Sequence, residues 1–210
     1  MTPPRAVLFD VDGVLVHSLF HPDPGRRRRW DEHLLSDLGV EPEALRPFFD
    51  ERFIDVVEGR LSLVSALDTF LPTIGYRGSS LDFLTYWLTR DVHLNFQLLD
   101  LTKQLRRAGA RLFIATNQEH VRAFHLWSEV GLRHYFDDMF YAARFGVGKT
   151  SPAFYERVAA MIGPQSEPPL FFDDSQRVVT AATSAGWEAI LFIDLPDCAE
   201  HPWIASRLAS

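Results

Sequence analysis

Five short apolar runs, alternating with stretches of helical periodicity, constrain the fold of this chain more than any other feature of its sequence. Continuous apolar runs are typical of strands that are buried on both faces of a parallel sheet. The predicted strands are Arg5–Asp10, Arg111–Ala115, Asp138–Tyr141, Leu170–Phe172 and Ala189–Ile193. The helices predicted beside them are Leu98–Ala108, Val121–Gly131, Pro152–Met161 and Gln176–Ala185. The alternation predicts an α/β fold with helices on both faces of the sheet.

A long interruption separates the first two predicted strands. Between His17 and Val92 the sequence contains no clear buried strand, and the segment is too long for one crossover connection. Its helical patterns are Trp30–Leu38, Glu43–Glu58, Leu61–Phe70 and Ser80–Thr89. We therefore predict a core formed by residues 1–16 and 93–210, with a helical insert of residues 17–92. Trp87 is expected to pack inside the insert.

The net charge and the cysteine content indicate which kinds of binding partner and which cellular compartment suit this protein. The formal net charge is −7, which argues against nucleic-acid binding but leaves small anionic substrates open. The single cysteine, Cys198, excludes an intramolecular disulfide, favours a reducing compartment and is expected to be a surface thiol. The first residues do not form a signal peptide, and no apolar run approaches the roughly 20 residues of a membrane span. We expect a cytoplasmic protein without a membrane partner.

Polar residues follow four of the predicted strands, where ligands bind in open parallel sheets. They are Asp10 and Asp12, Thr116 and Asn117, Lys149, and Asp173 and Asp174. Each group alone has an ordinary explanation: Asp with Gly13 in a turn, Thr or Asn as a helix N-cap, or a solvated lysine. Together they predict a site for a metal ion and a phosphoryl group, because adjacent carboxylates repel one another unless a cation such as Mg²⁺ neutralises them.

The stretch ARFGVGKT, Ala143–Thr150, offers an alternative. It matches the second half of a phosphate-binding loop, although Ala143 occupies the position of the first glycine. Such a loop normally follows an early strand, and this interpretation leaves Asp10 and Asp12 unexplained. We therefore expect the stretch to deliver Lys149 to the carboxylates instead.

Four motifs in order resemble those of the haloacid dehalogenase superfamily of hydrolases. VLFDVDGVL is similar to the first motif and FIATN to the second; Lys149 in GVGKTSPAFY is similar to the third, and LFFDDS to the fourth. The resemblance covers the predicted core and indicates the subgroup with a helical cap inserted after the first motif. It implies a Rossmann-like, doubly wound parallel sheet. Thr150 and Ser151 depart from the subgroup, in which proline often follows the lysine directly.

The resemblance also implies roles for individual residues. Asp10 would be the nucleophile and Asp12 the general acid and base. Thr116 and the Asn117 backbone would hold the phosphoryl group, and Lys149 would stabilise its charge. The side chains of Asp10 and Asp174 and the Asp12 carbonyl would hold Mg²⁺. Asp173 would orient Lys149.

The function predicted from these motifs is that of a Mg²⁺-dependent phosphatase acting on a small phosphorylated metabolite. The alternatives are a 2-haloacid dehalogenase, a sugar phosphomutase and a non-catalytic binding module. Dehalogenases typically lack an aspartate where Asp12 stands, and none of the expected catalytic residues is missing. Arg26–Arg29 either attract anionic substrates or form a solvated loop.

Overall fold

The computed structural model describes residues 3–209, of which residues 51 and 52 are described by their backbone only. Its sheet has the order β3-β2-β1-β4-β5, and all neighbouring strands are parallel. The strands are β1 (Ala6–Phe9), β2 (Arg111–Thr116), β3 (Asp138–Tyr141), β4 (Leu170–Asp173) and β5 (Glu188–Leu191). The chain winds outward from β1 to one edge and later from β4 to the other, so the predicted doubly wound α/β fold is confirmed.

Alternate residues of the central strands enter separate apolar clusters on the two faces of the sheet. Ala6 and Leu8 lie in one cluster, whereas Val7 and Phe9 lie in the other. All four are fully buried. Both faces are therefore covered, which explains why the strands read as continuous apolar runs.

Helices from the two parts of the chain flank this sheet. The helices that precede β2 are α1 (Leu34–Leu38), α2 (Phe53–Val57), α3 (Leu63–Phe70), α4 (Ser80–Arg90) and α5 (Phe96–Arg107). Those that follow it are α6 (His120–Phe124), α7 (Ala142–Phe145), α8 (Pro152–Ile162), α9 (Gln176–Ser184), α10 (Leu195–Ala199) and α11 (Pro202–Leu208). The first face is covered by α8 and α9, and the second by α5, α10 and α11.

The helical cap has an apolar cluster of its own. Trp87 is buried in it, as predicted, and stacks against Trp30 with ring centroids 5.5 Å apart. Two predicted helices are interrupted. The stretch from Trp30 becomes α-helical only at Leu34, and the predicted helix Glu43–Glu58 is divided into a 3₁₀ segment (Pro42–Leu45), a π-helical segment (Phe48–Arg52) and α2. Pro47 lies at the division, where it removes a backbone donor.

The chain passes between core and cap at two neighbouring segments, residues 15–17 and 93–95, which we call the hinge. The backbone of His17 donates to the His93 carbonyl at 2.8 Å, and Asn95 donates to the Leu15 carbonyl at 2.9 Å. The predicted boundaries at 16/17 and 92/93 fall beside this hinge and remain a prediction.

The thiol that the sequence placed at the surface lies inside the core. Cys198 is fully buried against the core, so the prediction of a surface thiol is wrong; it lies on the inner side of α10, a helix that the sequence did not reveal and that packs beside α11. Burial raises the pKa of its thiol well above the usual range. Among residues 3–209, no helix has the length and apolar character needed to cross a membrane.

Candidate active site

The register of the sheet brings the first and fourth motifs together. Phe9 of β1 pairs with Phe172 of β4, and the N–H of Asp10 donates to the Phe172 carbonyl at 2.9 Å. Asp10 and Asp173 therefore leave neighbouring strands side by side. The chain diverges to opposite edges of the sheet at this point, which is where parallel sheets form binding crevices.

Lys149 bridges these two carboxylates. Its Nζ lies 2.6 Å from Asp10 Oδ2 and 2.7 Å from Asp173 Oδ2, and its side chain is 2% exposed. The backbone on either side is fixed, because its N–H donates to Asn117 Oδ1 at 2.9 Å and its carbonyl accepts from the Tyr155 hydroxyl at 2.5 Å. The third motif thus delivers a buried ammonium to the ends of β1 and β4.

The buried charges of Lys149 and its neighbouring carboxylates shift one another's pKa values. Burial alone would lower the pKa of Lys149, but the carboxylates of Asp10 and Asp173 outweigh it, so the lysine pKa lies above its ordinary value. Burial raises the pKa of Asp10 well above its usual range; Lys149 opposes this rise, whereas Asp173 and Asp174 add to it. When Asp10, Asp173 and Asp174 are all ionised, their negative charge exceeds what one lysine neutralises.

Asp174 completes a cluster that could hold a divalent cation. One carboxylate oxygen from each of Asp10, Asp173 and Asp174 lies within 4.8 Å of the others. Burial, reinforced by Asp173, raises the pKa of Asp174 to about 6. The oxygens of Asp173 already accept hydrogen bonds from Lys149 and from the Ser175 N–H.

Gly13 makes room for Asp174. A Cβ at Gly13 would lie 2.0 Å from Asp174 Oδ2, and its φ of +79° favours glycine. The backbone after the first motif is thus shaped around the second carboxylate of the fourth. Hard oxygen donors packed in this way suit Mg²⁺.

Asp12 is held by two residues that the sequence analysis did not identify. The Arg122 guanidinium donates hydrogen bonds to both oxygens of the Asp12 carboxylate, at 2.7 and 2.8 Å. Gln118 Nε2 donates to Oδ2 at 2.6 Å. Partial burial alone would raise the pKa of Asp12, but Arg122 and Gln118 hold it below its usual value. The available signal was Arg122 itself, a charged residue within the apolar helical pattern VRAFHLW.

The second motif lies between these groups. Thr116 is the buried last residue of β2, and Asn117 is exposed beyond it. The N-cap of α6 is Glu119, whose carboxylate accepts from the Val121 N–H at 2.6 Å and from the Arg122 N–H. The alternative in which Thr116 or Asn117 caps the helix is therefore wrong, and both remain predicted contacts of the phosphoryl group.

A residue of the cap also reaches this edge of the sheet. Glu58 Oε1 accepts from the Gly148 N–H at 2.9 Å, and the neighbouring Gly59 packs against Ala143. In a phosphate-binding loop such N–H groups face the phosphate. Here the N–H of Gly148 donates to Glu58 and that of Lys149 donates to Asn117, which contradicts the nucleotide-loop alternative.

The arginines Arg26–Arg29 all have partners within the protein. Arg26 forms a two-point contact with Asp194, and Arg29 does so with Asp31. Arg27 and Arg28 donate to backbone carbonyls of the same loop. These contacts favour the solvated-loop interpretation over a role in attracting substrate.

Comparison with known protein families gives one match along most of the chain. The model of the haloacid dehalogenase-like hydrolases matches residues 4–186. This match includes all four motifs and the inserted helices.

Comparison with solved structures identifies proteins of the same architecture. A HAD family enzyme of Bacteroides thetaiotaomicron, solved in complex with magnesium and inorganic phosphate, is 19% identical with a TM-score of 0.69, over 89% of this chain and 92% of that one. A predicted HAD-like hydrolase of Porphyromonas gingivalis is 21% identical with a TM-score of 0.68, over 89% of each chain. A 2-haloacid dehalogenase of Pseudomonas syringae pv. Tomato DC3000 is 20% identical with a TM-score of 0.60, over 89% of this chain and 85% of that one. At these identities the likeness shows a shared fold.

Proposed function

The chain belongs to the haloacid dehalogenase-like hydrolases, and from that premise we propose that it is a Mg²⁺-dependent phosphatase. The substrate is a small phosphomonoester, and the reaction passes through a phosphorylated Asp10. The observation that carries the proposal is the carboxylate cluster of Asp10, Asp173 and Asp174 around Lys149. A dehalogenase attacks carbon and needs no metal, whereas a divalent cation would offset the excess negative charge of this cluster and allow a phosphate to approach.

In the first step, a carboxylate oxygen of Asp10 attacks phosphorus and the bond from phosphorus to the leaving oxygen breaks. Asp12, once protonated, gives its proton to that oxygen; the contacts with Arg122 and Gln118 stabilise its ionised form, which is the form the second step needs. Lys149, held 2.6 Å from Asp10, stabilises the negative charge of the phosphoryl oxygens, with Thr116 and the Asn117 backbone as further donors. Asp173 keeps the ammonium in place.

In the second step, the Asp12 carboxylate takes a proton from water, which attacks the phosphorus. The bond from phosphorus to Asp10 breaks, and inorganic phosphate leaves with Asp10 restored. Mg²⁺ would be held by Asp10, the Asp12 carbonyl and Asp174, where it supplies positive charge to the phosphoryl oxygens. The Bacteroides enzyme, solved with magnesium and inorganic phosphate, supports this choice of ion and ligand.

The test is release of phosphate from p-nitrophenyl phosphate with Mg²⁺ and with EDTA. We expect release only with Mg²⁺ and none from Asp10→Asn, which keeps the shape of the nucleophile but not its charge. Asp100→Asn, an exposed carboxylate paired with Lys103 on α5, is the control and should retain full activity.

The Pseudomonas dehalogenase makes 2-chloropropionate the second substrate to test. Chloride release without Mg²⁺ and without phosphatase activity would assign the chain to the dehalogenases. Phosphoryl transfer between sugar positions without net phosphate release would indicate a mutase. Absence of all three activities would favour a binding module.

A further inference from the structure

The carboxylate assigned to acid–base chemistry is not free in this structure. Both oxygens of Asp12 accept hydrogen bonds from Arg122, and one also accepts from Gln118. A two-point contact between guanidinium and carboxylate fixes the direction of the carboxylate plane as well as its distance. The orientation of Asp12 is therefore set from α6 and from the loop before it, not from the segment after β1 that carries it.

Arg122 is itself held rigidly. Its side chain is 7% exposed, and its backbone N–H is bound by the N-cap residue Glu119. Its Nη2 also lies 3.1 Å from Asp91, the residue that ends α4 in the cap. Asp91 is fixed in turn, because it accepts from the Trp87 indole at 3.2 Å. One guanidinium thus joins the acid–base carboxylate of the core to the last turn of the cap, next to the hinge.

The contact also separates Asp12 from the other carboxylates. Within the described residues, the cluster that could hold a cation contains Asp10, Asp173 and Asp174 but not Asp12. A fourth free carboxylate beside Lys149 and Mg²⁺ would compete for the same cations. Arg122 provides Asp12 with a different partner and stabilises its ionised form, which is the form that acts as a base.

We propose that Arg122 is a positioning residue for the phosphatase reaction: it orients the Asp12 carboxylate between core and cap and acts on turnover only through Asp12. This proposal rests on the proposed function. It concerns the two proton transfers and not the attack of Asp10 on phosphorus. The effect of replacing Arg122 on each step should therefore depend on how much that step needs an acid or a base.

The decisive substrate is p-nitrophenyl phosphate, because nitrophenolate departs without receiving a proton. Phosphorylation of Asp10 then proceeds without Asp12, whereas hydrolysis of the phosphorylated enzyme still needs Asp12 as the base. In Arg122→Ala we expect a rapid burst of about one nitrophenolate per active site, followed by turnover roughly 10- to 100-fold slower than wild type. This is less than the roughly 10²- to 10⁴-fold contribution of general acid–base catalysis, because Asp12 itself remains. Arg122→Lys, which can contact one oxygen, should recover part of the rate and shrink the burst.

A double-mutant comparison separates positioning from general damage. Asp12→Asn should show the same burst with slower turnover, and adding Arg122→Ala to it should cause no further loss. Arg106→Ala is the matched control, since Arg106 also pairs with an aspartate, Asp137, on the surface of the core; its kinetics should equal those of wild type. If Arg122→Ala lowers burst and turnover in equal proportion, or slows the Asp12→Asn protein by as much as it slows wild type, the proposal is overturned.

Two other outcomes are possible: Arg122→Ala does not fold, or wild type has no activity. If Arg122→Ala does not fold, Arg122→Gln and Arg122→Lys replace it, and turnover equal to wild type in both would overturn the two-point contact as the cause. If wild type releases no nitrophenolate, the proposed phosphatase function fails, and the positioning claim is decided by crystal structures. Asp12 in the same orientation in wild type and Arg122→Ala would then overturn it, whereas a reoriented carboxylate would support it.

Discussion

Single residues of the site are explained by what surrounds them more than by their own chemistry. Lys149 is an ordinary lysine in sequence, yet the structure buries it between two carboxylates and fixes its backbone on both sides. Such a charge is tolerated in the interior only because both partners are present. Gly13 contributes by having no side chain, since any side chain there would occupy the space of Asp174.

This role of Gly13 can be isolated with a matched pair of variants. Gly13→Ala and Gly39→Ala both place a Cβ on a left-handed residue, with φ of +79° and +68°, and each should cost about 1–2 kcal/mol of folding free energy. At Gly39 nothing lies within 4 Å of the added Cβ, whereas at Gly13 it displaces Asp174. We expect only Gly13→Ala to lose Mg²⁺ binding by isothermal titration calorimetry. Equal Mg²⁺ affinity in the two variants would contradict the assignment of Asp174.

At the scale of elements, the sequence predicted what depends on continuous patterns. The limits of β3 were predicted correctly, since its adjacent Met139 and Phe140 are buried in the apolar clusters on opposite faces of the sheet. The helix from Glu43 was divided at Pro47, and Trp30 stacks on Trp87 instead of continuing a helix. Such outcomes depend on contacts between distant segments. For the same reason the partners of Asp12 were missed, since Arg122 reaches it across 110 positions of sequence.

The contact between cap and core through Glu58 is a second example that no local pattern reveals. Glu58 is the cap residue that accepts from the Gly148 N–H, directly before Lys149. Glu58→Ala leaves that donor without its charged acceptor, a loss of about 1.5 kcal/mol for a hydrogen bond of this kind. If this contact holds the cap and Lys149 in the arrangement that reacts, kcat/KM for p-nitrophenyl phosphate should fall by up to about tenfold.

The control for Glu58 is Asp55→Ala. Both carboxylates pair with Arg60, but Asp55 makes no contact with Gly148 among the described hydrogen bonds. Asp55→Ala should therefore keep kcat/KM near that of wild type. A tenfold fall in both variants would assign the effect to Arg60 instead of the contact between cap and core.

At the scale of the whole molecule, the site concentrates negative charge at the ends of β1 and β4, where the chain diverges to opposite edges of the sheet. The pKa of Asp174 is raised to about 6, and that of Asp10 is raised as well. A folded state that keeps its protons longer than the unfolded state loses stability as pH rises. Without metal, the protein should therefore become less stable from about pH 4 to pH 6, and its stability should remain low above that range.

Magnesium should reverse this trend, because it binds the deprotonated carboxylates and stabilises the folded state by mass action. At pH 5, one unit below the pKa of Asp174, roughly nine in ten of these carboxyls carry a proton, so the apparent Mg²⁺ affinity should be about tenfold lower than at pH 7.5. Thermal unfolding at both pH values, with Mg²⁺ or EDTA, should show a larger rise in Tm at pH 7.5. Asp174→Asn should abolish most of that rise, whereas Asp100→Asn should not. An equal rise at both pH values would mean that protons and Mg²⁺ do not compete, and that the ion binds away from the carboxylate cluster.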